Sequence, residues 1–158
     1  MPPAGAHVVI KTRAAAETEA LGRRLGARLR PGDVVALVGP LGSGKTVLAR
    51  GIALGAGAAG YIASPSYVVV REYHGPVRIY HADLYRIGPA EDLDVLGLDD
   101  LMNGSGVLVV EWADRAVGLL PAERVEVECA FGVAEDERIL TLSAPAPLAD
   151  RLEGLPEG

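Results

Sequence analysis

Five apolar residues, Val34 to Val38, run without a polar break into GPLGSGKT, Gly39 to Thr46. A short continuous apolar run suits a strand buried on both faces, as in a parallel sheet sandwiched by helices. The Gly-rich turn that follows opens the helical stretch Thr46 to Leu54, which ends at Gly55 or Gly57. A strand, a glycine turn and a helix in that order curl the backbone so that successive N–H groups and a helix N-terminus converge on one point, where an anion is stabilised.

The spacing, Gly, four residues, then Gly-Lys-Thr, makes that anion a polyphosphate. Gly39, Pro40, Leu41, Gly42, Ser43 and Gly44 supply the cradle, Lys45 reaches the β- and γ-phosphates as a cation, and Thr46 offers a hydroxyl to Mg²⁺. The expected fold is therefore α/β, a P-loop NTPase with a central, mostly parallel sheet flanked by helices. Guanine-reading proteins of the Ras type carry Asn-Lys-x-Asp. Here Asn103 precedes Gly, and the two lysines, Lys11 and Lys45, lie elsewhere, so ATP is favoured by elimination.

Such chemistry also needs carboxylates where neighbouring strands end beside the phosphates. Glu111 follows the run Val107 to Val110, and Asp83 follows VRIYHA. Glu111 would hold Mg²⁺ directly or through water, and either acid would position the attacking water; for each, the plain alternative is a turn or helix N-cap. Ser64 and Ser66 flank Pro65 in a loop, where their hydroxyls would meet the γ-phosphate or metal, or merely a solvated turn. His81 reads as a strand residue with a satisfied ring and no chemistry. Trp112 and Tyr85 are core aromatics or a partner surface, and composition does not choose.

Elsewhere, Leu21, Leu25 and Leu29 form one face of a helix over Ala14 to Leu29, after a short strand at His7 to Ile10. Pro89 to Met102 has a helical pattern with Leu93, Leu96 and Leu101 facing inward. Arg124 to Ala130 and Arg138 to Ser143 alternate around GVAEDE and predict a C-terminal antiparallel hairpin. At 158 residues the chain suits a single domain, 1–144, with a mobile tail over 145–158. Its net charge of −6 argues against strong direct nucleic-acid binding. No apolar run approaches the roughly 18 residues of a membrane span, so a cytoplasmic location is expected. The lone Cys129 excludes an internal disulfide and reads as a small buried hydrophobe.

GPLGSGKT, SPSY, HADLYR and VEWADR, in that order from Ala14 to Arg115, resemble the TsaE family, also called YjeE, small bacterial P-loop ATPases that assist synthesis of threonylcarbamoyladenosine in tRNA. The resemblance implies an ATPase that docks on the TsaB–TsaD pair, in which TsaD transfers the threonylcarbamoyl group, and that promotes turnover of that complex. It further implies Thr46 and Glu111 as Mg²⁺ contacts, Asp83 within an Asp-Leu-Tyr-Arg motif, Ser64 to Tyr67 as a switch-like loop and Trp112 in a Glu-Trp pair. Val47 departs from the family's second hydroxyl after Gly-Lys-Thr and removes a bond to the α-phosphate. Ser66 replaces a common Thr, and Ala82 a bulkier apolar residue. Two competing readings of the same cradle are a small-molecule kinase, for which no compact Arg-bearing lid is evident among Arg115, Arg124 and Arg138, and a nucleotide-gated binding module with negligible turnover.

Overall fold

A computed structural model of the chain describes residues 5–58, 70–85, 101–102 and 104–155. Among these residues the strands are β1 (Gly5–Thr12), β2 (Val34–Val38), β3 (Val70–Tyr73), β4 (Ile79–Asp83), β5 (Val107–Glu111), β6 (Val125–Phe131) and β7 (Arg138–Pro145). Among the described residues, helices α1 (Ala15–Gly26) and α2 (Lys45–Gly55) accompany them, with 3-10 turns at Ala113–Leu119 and Leu148–Leu152. The strands form one sheet in the order β1-β7-β6-β2-β5-β4-β3. Its centre, β6-β2-β5-β4, is parallel, whereas β3, β7 and β1 join antiparallel. The expected α/β P-loop fold with a C-terminal hairpin is thus the observed one.

The apolar pattern of each strand follows from what covers it. Along β2, Val35 and Leu37 face one core while Val34 and Ala36 face another, and along β5 Val107 and Val109 oppose Leu108 and Val110 in the same way. Both faces are dry, so neither strand tolerates a polar residue before its end. The hairpin is covered on one side only. Val125, Val127 and Cys129 of β6 point inward with Leu140 and Leu142 of β7, and Glu126 and Glu128 alternate outward, which gives the period-two pattern.

On the first face, α1 and α2 pack at backbone contact. A β-carbon on Gly22 would lie 2.5 Å from the carbonyl oxygen of Leu48 and 3.0 Å from the Cα of Gly51. Gly26 and Gly55 meet the opposite helix backbone equally closely. Glycine at these helical positions sacrifices propensity, about 1 kcal/mol each, for an approach that lets Leu21, Leu25, Leu48 and Ile52 bury completely. Among the described residues, no helix is long and apolar enough to cross a membrane.

Of the segment expected to be a mobile tail, 145–158, the described residues, through Leu155, are folded. Leu148, Leu152 and Leu155 join the α1/α2 core, the last two fully buried. Arg24 Nε donates to the Leu155 carbonyl at 3.0 Å, Arg28 Nη1 to the Arg151 carbonyl at 3.0 Å, and Arg151 pairs with Asp33. The reason is a one-sided turn: leucines spaced by four and three residues share a face, and Arg24 of α1 and Arg28 just beyond its end supply the donors. The predicted helix over Pro89 to Met102 lies almost wholly outside the described residues; Leu101 and Met102 pack on the second core.

Candidate functional site

The chain leaves β2 at Val38 and turns through Gly39 to Gly44 before α2 begins at Lys45. Gly39 and Gly44 take φ values of 143° and 101°, which side chains with a β-carbon rarely adopt. At Gly39 a β-carbon would also collide with the Cys129 carbonyl of neighbouring β6. Gly44 caps α2 without any side-chain hydrogen bond. The first N–H groups of a helix have no intrahelical acceptor, so those of α2 remain available where Gly44, Lys45, Thr46 and Val47 line a cleft of about 290 Å³. Leu41 and Gly42 line it too, whereas Ser43 is fully buried beneath the turn.

Lys45 is only 4% exposed. Its ammonium donates to the carbonyls of Gly39 and Pro40, the latter at 3.1 Å, and stands 3.6 Å from the centroid of the Trp112 ring. Burial lowers its pKa below the ordinary lysine value, opposed by the charges of Glu111, Asp114 and Asp83. The cation is thus held by weak, exchangeable acceptors beside the cleft.

The opposite wall is made where β4 and β5 end. Parallel register pairs Asp83 with Glu111, which places two carboxylates side by side at the rim. Glu111 is buried and engaged at both oxygens: Thr46 Oγ1 donates to Oε1 at 2.8 Å, and His81 Nε2 lies 2.5 Å from Oε2. Asp83 accepts a hydrogen bond from the Tyr85 N–H at 3.0 Å. Burial raises its carboxyl above the ordinary aspartate range and Glu111 adds to this, against the opposing pull of the Tyr85 N–H, His81 and Lys45.

The structure therefore brings Lys45, Thr46, Asp83 and Glu111 together around one cleft. Ser64 and Ser66 lie outside the described residues. Four further side chains, His81, Trp112, Tyr85 and Arg138, are given no place in the site by the residue pattern. His81 is buried with a satisfied ring, as expected, but the partner that satisfies it is Glu111. Trp112 follows Glu111 with φ 59°, covers Lys45 and contacts Tyr85 at 4.9 Å between ring centroids, so both aromatics belong to the cleft wall. Arg138 of the hairpin also lines the cleft, and only the fold brings it there. Cys129 lies in the core as a thiol whose pKa burial pushes up to about 12.

Residues 12–139 match the family model for threonylcarbamoyl adenosine biosynthesis protein TsaE. Among similar proteins, the tRNA threonylcarbamoyladenosine biosynthesis protein TsaE of Bacillus subtilis is 38% identical over 129 residues, spanning 81% of this chain and 80% of its own. The protein of the same name from Mycobacterium leprae is 40% identical over 135 residues, 79% and 83% of the two chains. The crystal structure of Bacillus subtilis YdiB superposes with a TM-score of 0.81 at 31% identity, covering 98% of this chain and 97% of that one. With a family match across most of its length, carried by relatives that align over most of theirs, the chain belongs to the TsaE family.

Proposed function

We propose that this chain is a cytoplasmic, Mg²⁺-dependent ATPase that serves tRNA threonylcarbamoyladenosine synthesis as an accessory subunit, docking on the TsaB–TsaD pair and hydrolysing ATP to promote turnover of that complex. The observation that carries the reading is the Thr46–Glu111 hydrogen bond at 2.8 Å, formed beside Lys45 at the start of α2. It joins the hydroxyl that follows the phosphate lysine to a carboxylate from the neighbouring strand. The names of the relatives support the pathway.

Thr46 Oγ1 and Glu111 would hold Mg²⁺: both are hard oxygen donors, few in number, which suits an ion that keeps several of its waters. Bound there, the ion would supply positive charge against the polyphosphate. Lys45 exchanges the carbonyls of Gly39 and Pro40 for phosphate oxygens, and the N–H groups of the turn stabilise charge developing on the γ-phosphate. Asp83, whose carboxyl is already raised toward a better proton acceptor, accepts a hydrogen bond from the attacking water. The water oxygen bonds to the γ-phosphorus as the bond to the β,γ-bridging oxygen breaks, and the proton the water loses passes to Asp83 and on to solvent, leaving ADP and inorganic phosphate.

Phosphate release from ATP, measured alone and with purified TsaB and TsaD, tests the proposal. Stimulation by the pair, together with loss of release in Lys45→Ala at unchanged circular dichroism, is expected. Unaltered turnover by that variant refutes the site. Failure of a pull-down to recover TsaB and TsaD with or without ATP refutes the docking.

A further inference from the structure

The glycine turn holds a hydroxyl that the site leaves unused. Ser43 is fully buried, and its Oγ has no hydrogen-bond partner among the described residues. Neighbouring buried hydroxyls are paired, Thr12 Oγ1 with Thr18 Oγ1 at 2.6 Å and Thr46 Oγ1 with Glu111 at 2.8 Å. Leaving a buried donor unsatisfied is costly, which points to a second arrangement of the turn in which Ser43 is paired.

Its surroundings identify the acceptor. Ser43 Oγ lies 2.9 Å from where a β-carbon on Gly39 would sit, so the hydroxyl packs against the residue whose carbonyl, with that of Pro40, holds the Lys45 ammonium. An ammonium has three protons. Two are committed to these carbonyls, and contact with both the β- and the γ-phosphate, as proposed above, takes two. At least one carbonyl must therefore lose its donor. Pro40 would keep the Ser43 N–H, at 3.2 Å. The Gly39 carbonyl has no donor besides Lys45 among the described residues, and it stands next to the unpaired hydroxyl.

We infer that Ser43 is a relief donor, its hydroxyl taking over the Gly39 carbonyl when Lys45 turns to phosphate. This deepens the reading under Proposed function and rests on it. The two arrangements of the turn differ by one exchange. Without ligand, Lys45 satisfies Gly39 and the hydroxyl is idle; with phosphate bound, the hydroxyl satisfies Gly39 and the ammonium faces the anion. Ser43 is thus a positioning residue, which favours the bound arrangement through Gly39 and Lys45.

The exchange predicts a change of sign that thermal melts read without any ligand. In the parent, Ser43→Ala removes an idle hydroxyl and should leave Tm unchanged or raise it. In Lys45→Met, which keeps an unbranched stem and removes the ammonium, the hydroxyl is already on Gly39. Adding Ser43→Ala there should lower Tm by about 2–6 °C, the scale of one net hydrogen bond in a chain of this size. Isothermal titration in Mg²⁺ buffer supplies the second readout: Ser43→Ala should bind inorganic tripolyphosphate and ATP each about 10-fold more weakly than the parent. An equal fall of Tm in both backgrounds makes Ser43 an ordinary structural residue and overturns the exchange. So does unchanged Tm in both, or unchanged affinity for tripolyphosphate. A parent that binds both ligands without these effects of Ser43→Ala refutes the exchange alone, whereas a parent that binds neither refutes the phosphate cradle and the exchange with it.

Discussion

Replacing His81 with alanine tests whether the Glu111 carboxylate is oriented from behind. His81 and Glu111 are 3% and 2% exposed, and their contact is 2.5 Å. Removing the ring leaves Oε2 with no replacement from solvent, while Oε1 remains on Thr46. Breaking a buried pair from one side costs about 3–5 kcal/mol. For a chain of this size, each kcal/mol lowers Tm by about 2–4 °C, so the variant should melt roughly 6–20 °C below the parent. His81→Gln keeps a donor and should recover part of the loss. A purely structural role would stop at stability. An orienting role should also weaken Mn²⁺, bound as a spectroscopic substitute for Mg²⁺, by about 10-fold or more, as losses behind a metal ligand do. Thermal melts, electron paramagnetic resonance titration and a double-mutant cycle with Glu111→Gln read these effects separately. Melting within about 2 °C of the parent with unaltered Mn²⁺ affinity refutes the argument.

The folded C-terminal segment predicts that Leu152→Ala and Leu155→Ala each lose about 2–5 kcal/mol in urea titrations, where a mobile tail would show no change. Gly22→Ala should cost about 1–3 kcal/mol by forcing α1 off the Leu48 carbonyl, despite alanine's better helix propensity; a stabilised variant contradicts the close approach. Cys129 should resist thiol reagents in the native protein and react fully in concentrated guanidinium chloride. Because burial raises its pKa from 9.0 to about 12, the folded state disfavours the thiolate. The stability this gives is complete below the unfolded value and declines as pH rises through the interval between the two. A flat stability profile there in the parent, or an identical decline in Cys129→Ala, would contradict it.

What could be read from the chain follows the range of the forces involved. The bounds of β2, Val34–Val38, are fully legible because burial on both faces leaves an uninterrupted apolar run, and the hairpin is legible because one-sided burial leaves alternation. The glycine turn declares itself because few other residues fit its backbone. Contacts that depend on register are another matter. His81 and Glu111 are 30 positions apart, and only the parallel pairing of β4 with β5 makes them neighbours, so a buried, satisfied histidine was readable and its partner was not. Gly22 and Gly51 look like weak points in helices until two backbones are seen to touch there. Leu148, Leu152 and Leu155 carry a periodic signal, but over too few residues and beside Pro145 and Pro147, and two of the arginines that fasten the segment, Arg24 and Arg28, lie more than 100 positions away.

Trp112 joins these levels. A bulky residue with φ 59° costs about 1–2 kcal/mol in backbone strain, and no propensity would place one after a strand. The strand end cannot relax without moving Glu111, whose two oxygens are tied to Thr46 and His81. On the other side, the next residue, Ala113, is fully buried as the first residue of the 3-10 turn. The backbone between two fixed neighbours must turn sharply, and the left-handed conformation sends the indole over Lys45. A cation over the indole face returns about 0.5–2 kcal/mol, similar in size to the strain. The same strand end thus fixes both the carboxylate that meets Thr46 and the ring that covers Lys45, so any shift of Lys45 acts on Trp112 directly and on Glu111 through one peptide bond.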